Sequence, residues 1–68
     1  MNRGYTYLPF RYVRHGIWTA LRVLHFRSLA DARSFARHYA AEHNLPTWSF
    51  FILRYHPFCG YEEKQYSI

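Results

Sequence analysis

The sequence predicts an α+β fold: a small ββαβ(β) domain in which one helix packs on a mainly antiparallel sheet of three or four strands. Three observations carry this expectation. An apolar run, Ile17 to Phe26, closes directly on a serine-capped helical pattern, and a second apolar run, Trp48 to Tyr55, follows at once. Gly16 stands between strand-forming residues on both sides and marks a hairpin ahead of that unit. No linker, repeat or low-complexity stretch divides the 68 residues, so residues 1–68 read as a single domain.

Tyr5, Tyr7, Phe10 and Tyr12 have strand-forming side chains, but Pro9 interrupts them and has no N–H to donate to a ladder. The first segment is therefore expected as an edge strand or two short pieces, with a strand at about 10–14. His15 and Gly16 turn the chain. In the second strand Ile17, Thr19, Leu21, Val23 and His25 share one face, and Trp18, Ala20, Arg22, Leu24 and Phe26 the other, so both faces are largely apolar.

The helix is expected over about 29–43. Ser28 can accept from the free N–H groups of the first turn, and Asp31 suits the positive end of the helix dipole. At about 100° per residue, Leu29, Ala32, Phe35, Ala36, Tyr39, Ala40 and His43 form one continuous buried arc, with Arg33 and Arg37 together on its flank. Asn44 is suited to the left-handed position after the helix, Leu45 folds back on the last turn, and Pro46 prevents continuation. The third strand, from about Trp48 to Tyr55, again lacks clean alternation. Pro57 and Gly60 bracket a turn before a short charged strand in Tyr61 to Ile68.

A strand, helix and strand connection makes the second and third strands run the same way. They either neighbour each other or flank the first strand in the order 2-1-3. Tiny sheets favour antiparallel pairing and hence the split order, although Pro9 argues against a central first strand. One helix covers only one sheet face. The other face is either capped by the terminal segments or leaves large rings available to a partner.

A chain of this length removes only about 60% of its unfolded surface on folding, so its core is thin. The single cysteine, Cys59, excludes an intrachain disulfide and suits a reducing cytoplasm. No apolar run approaches a membrane span and no signal-peptide pattern is present. The net charge is +5, eight of the nine basic residues are arginine, and 22% of the chain is aromatic. Arginine with tyrosine and tryptophan suits protein interfaces, and equally nucleic acid, through phosphate contacts and base stacking.

Catalytic and metal chemistry find no adequate residue set. His38 and His43 are about 140° apart on the helix and cannot share a ligand face. His56 and Cys59 are plausibly spaced, but a tetrahedral site needs two further donors that only His15 or His25 could supply by chance of folding, and no third group orients the pair as base and nucleophile. The adjacent Glu62 and Glu63 point to opposite sides of a strand. No cofactor, metal or enzymatic activity is expected. The sharper candidates are Trp18, Arg22, Arg33, Arg37, Trp48 and Arg54, expected as a continuous basic and aromatic contact surface.

The apolar strand closing on Ser28-Leu29-Ala30-Asp31-Ala32, the alanines at 32, 36 and 40, and the strand after Pro46 resemble a pattern common in small phage-encoded inhibitors. These include anti-CRISPR proteins and inhibitors of bacterial RNA polymerase. The resemblance implies a non-enzymatic phage or mobile-element protein that docks on a host protein or nucleoprotein complex in the host cytoplasm. Some such proteins compete with nucleic acid through an acidic surface, and this basic chain departs from that mode. The alternative is a small nucleic-acid-binding protein whose sheet stacks bases, and a homodimer burying the open face is a third reading.

Overall fold

The first strand, β1 (Thr6–Arg14), lies in the middle of the sheet, with β2 (Ile17–Ala20) on one side and β3 (Phe50–His56) on the other. β4 (Gly60–Tyr66) completes the order β2-β1-β3-β4, and every neighbouring pair is antiparallel. One helix, α1 (Leu29–Glu42), connects β2 to β3, so the chain has the α+β split arrangement with both flanking strands opposed to β1. These elements come from a computed structural model that describes residues 4–21 and 25–68.

β1 runs straight through Pro9, against the expectation that proline would confine it to an edge. Tyr7 exchanges both backbone hydrogen bonds with Phe26, at 2.8 and 3.0 Å, and the Pro9 carbonyl accepts from Leu21 N–H at 3.1 Å. The odd-numbered residues of β1 therefore turn their peptide groups toward the β2 side. The missing donor of Pro9 falls between the end of β2 at Ala20 and the isolated Tyr7–Phe26 bridge. The Pro9–Leu21 pair thus keeps one of its two bonds, and on the β3 side Pro9 still pairs in register with Ile52. The second strand is shorter than its apolar run, ending at Ala20, and residues 22–24 of that run lie outside the described residues.

α1 begins and ends on side-chain chemistry visible in the sequence. Ser28 Oγ accepts from Asp31 N–H at 3.1 Å, a cap whose loss costs about 0.5–2 kcal/mol. At the other end Asn44 has φ 58°, Leu45 N–H donates to Ala40 O at 2.9 Å and Asn44 N–H to Ala41 O at 3.3 Å. This pair of reversed bonds satisfies the last free carbonyls. A 3-10 turn, Thr47–Ser49, takes up Trp48, so β3 starts two residues later than expected.

Ala32 and Ala36 have no accessible surface and Ala40 has 2%, so the helix approaches the sheet along an alanine stripe. Tyr7, Ile52 and Ala32 form the core on this side, closed by Phe26, Leu29, Tyr66 and Ile68. His43, expected within the buried arc, is exposed and stacks on Tyr39 at 4.1 Å. Leu8, Phe10, Phe51 and Leu53 form a second core cluster on the opposite face of the sheet. No helix among the described residues is long and apolar enough to cross a membrane.

Candidate binding surface

No helix among the described residues covers the second core cluster, yet its four residues are only 3–7% exposed. Aromatic side chains from the strands themselves cover them. On β1 the even positions face this side, and Tyr12 lies against Phe51 at 4.6 Å between ring centroids. From β2, Trp18 meets Phe10 edge-on at 4.8 Å and Phe51 at 5.7 Å. From β4, Tyr61 packs on Tyr55 at 4.9 Å and reaches Phe10 at 6.0 Å.

β1 and β4 are not neighbours, so contacts between them must pass over β3. The Tyr61–Phe10 contact does so, and so does a hydrogen bond from the Tyr12 hydroxyl to Gln65 Oε1 at 2.8 Å. Side chains from both outer neighbours arch over Phe51 and Leu53 and exclude water from them. His25 extends the array, packing on Tyr55 at 5.6 Å with Nδ1 2.9 Å from Thr6 Oγ1. The result is a ring-built platform whose outermost members, Trp18 and Tyr61, remain 47% and 50% exposed. Among the described residues its rings and their polar partners include no arginine, lysine or carboxylate.

The expected contact residues do not share one surface. Trp18 belongs to the platform. Arg54 lies on the helix side, opposite Tyr7 in the register, where its guanidinium pairs with Glu62 and stacks over the Tyr5 ring at 4.2 Å. The Glu62 hydrogen bond raises the Arg54 pKa above its ordinary value, and the same bond holds the Glu62 carboxyl below the usual carboxylate range. Arg33 Nε donates to the main-chain oxygen of Ser67 at 2.8 Å, and Arg37 Nε to that of Ile68. Both helical arginines thus hold the C-terminal segment against α1. Trp48 stands away from all of these, 80% exposed on the 3-10 turn. Arg22 lies outside the described residues.

Of the residues once considered for metal or nucleophilic chemistry, His56 is used by the turn after β3. Its Nδ1 accepts from Phe58 N–H at 3.1 Å and its ring packs on Tyr5 at 4.8 Å. Cys59 is a free, exposed thiol in that turn. Among the described residues no group of three His, Cys, Asp or Glu side chains is arranged to hold a metal ion.

In the sequence Tyr12, Tyr55 and Tyr61 read as strand residues and belong to no expected site. The signal was their parity: even positions of β1 and odd positions of β3 and β4. That signal becomes readable only once the strand pairing is known. Comparison of the chain with known protein families, with curated proteins and with solved structures finds no match. The site is accordingly read from its own chemistry.

Proposed function

We propose that this chain is a non-enzymatic binding protein whose ring-built sheet face docks on a partner protein. The observation that carries the reading is the uncovered platform of Tyr12, Trp18, Tyr55 and Tyr61 over a core with no helix on that side. Tyrosine and tryptophan supply large rigid contact area with a polar tip, and such residues dominate the binding energy of interfaces. Among the described residues no cation joins the platform's rings and their polar partners, which favours a protein over a phosphate backbone. The +5 charge of the chain opposes docking of a second copy and favours a partner with an apolar centre and an acidic rim.

The resemblance to small phage inhibitors makes a bacterial host complex the partner of choice, as in anti-CRISPR or anti-transcription action in the cytoplasm. The test is retention of a defined complex from nuclease-treated bacterial lysate by the tagged protein, compared with W18A and Y61A. Truncating one interface anchor should weaken binding roughly thirtyfold or more. Far-UV circular dichroism controls for folding, and Y61A, on the last strand, serves if W18A is too unstable. Equal retention by both folded variants would refute the platform as the docking face. A concentration-dependent dimer in sedimentation that both variants abolish would assign the face to self-association instead.

A further inference from the structure

The platform does not account for Trp48, nor for Arg11 and Arg14 at the hairpin end of the sheet. Trp48, on the 3-10 turn, faces a cleft of about 610 Å³ between that turn and the β1–β2 hairpin. Arg11, Arg14 and His15 line the hairpin side, and Pro46 and Ser49 the turn side. No carboxylate lines it. The volume lies within the range of about 300–1,000 Å³ usual for ligand sites.

The turn presents Trp48 rather than merely leaving it loose. Ser49 is buried, its Oγ donates to Pro46 O at 2.7 Å and its N–H to the same oxygen at 3.2 Å. Phe50 N–H donates to Thr47 O and anchors the turn to the start of β3. The backbone around the tryptophan is thus fixed while its indole is 80% exposed. Across the cleft Arg14 and His15 are exposed, and the Nε of half-buried Arg11 has no hydrogen-bond partner among the described residues. Neither arginine takes part in an ion pair among the described residues.

An exposed indole beside two arginines in one cleft, with no acid among its lining residues, matches one ligand chemistry. A planar base stacks on the indole and a phosphate is held by the arginines. We infer that this cleft binds single-stranded nucleic acid, with one base on Trp48 and the adjoining phosphates on Arg14 and Arg11. A single strand fits better than a duplex, whose bases are already stacked and unavailable. It also fits better than a free nucleotide, because the cleft is open and the flanking cations suit a continuing backbone. The inference is independent of the platform, although Tyr12 borders both; Tyr12 is therefore left unchanged in the test.

The test is fluorescence anisotropy with labelled single-stranded 12-mers of DNA and RNA, against a duplex of the same sequence and a mononucleotide competitor, across a salt series. The wild type should bind the single strands more tightly than the duplex. W48A should weaken that binding roughly ten- to hundredfold, and R14A should lower the salt slope by about 0.7. In a W18F background the remaining Trp48 emission should be quenched on binding. Both substitutions are at exposed positions, and circular dichroism confirms folding. The proposal would be overturned by no oligonucleotide binding at low salt, equal binding by W48A and wild type, or equal affinity for duplex and single strand. Loss of a captured protein complex by W48A, with oligonucleotides ignored, would give the cleft to a protein partner and equally overturn it.

Discussion

Replacing Ala36 by leucine probes the arrangement on which everything else rests, the close approach of α1 to the sheet. Ala36 has no accessible surface and sits between Ala32 and Ala40 on the buried stripe. A leucine there adds three heavy atoms where none fits, and overpacking of this kind costs about 1–3 kcal/mol. A domain of this size has a total stability of roughly 3–10 kcal/mol, so the loss is a large share. At roughly 4–8 °C per kcal/mol for a small domain, Tm should fall by about 5–20 °C. The matched control is A41L, one residue further round from the stripe, where the alanine is exposed. It carries a similar change in helix propensity and should shift stability by no more than about 0.5 kcal/mol. Thermal melts followed by circular dichroism at 222 nm would compare the two. If A36L and A41L melted within about 2 °C of each other, the helix would not lie on the sheet along its alanines.

Two further outcomes follow from the charged pairs. Because the Arg54 hydrogen bond holds the Glu62 pKa below its ordinary value of 4.5, the stabilisation it brings is present above that value. It is lost as pH falls through the lower, folded-state value. Urea unfolding from pH 7 to pH 3 should therefore show a shallower acid decline for E62Q than for wild type, with E62Q the less stable at pH 7; parallel curves would sink this reading. Removing both helical arginines in R33A/R37A should cost about 1 kcal/mol, the low end for hydrogen bonds open to solvent. It should also speed amide exchange at Ser67 and Ile68, whose carbonyls the two arginines hold. Unchanged exchange there would mean the arginines do not secure the C-terminal segment.

The features legible in the sequence are those set by residues a few positions apart. Ser28 and Asn44 bound the helix because their capping bonds reach only three to five residues along the chain. The alanine stripe follows from helical geometry, and Gly16 and Gly60, with φ 75° and 78°, mark hairpin turns because that conformation favours glycine. Charge, the lone cysteine and the surplus of rings are properties of composition and needed no fold.

Tertiary pairing decided the rest. Pro9 sits in a central strand because it falls just past the end of β2 at Ala20, where Leu21 still donates to its carbonyl and only the donor half of one pair is given up, which no reading of residues 5–14 could show. Tyr12 meets Gln65 across 53 residues, so the covering of the open face depends on strand order and register. Arg33, Arg37 and Arg54 read as free cations in the sequence, yet each has a distant intramolecular partner, while Arg11 and Arg14 emerge beside Trp48 at the hairpin end. Sequence sets which side chains are present and how each short segment bends. Only the folded sheet decides which of them are consumed in holding it together and which remain to meet a partner.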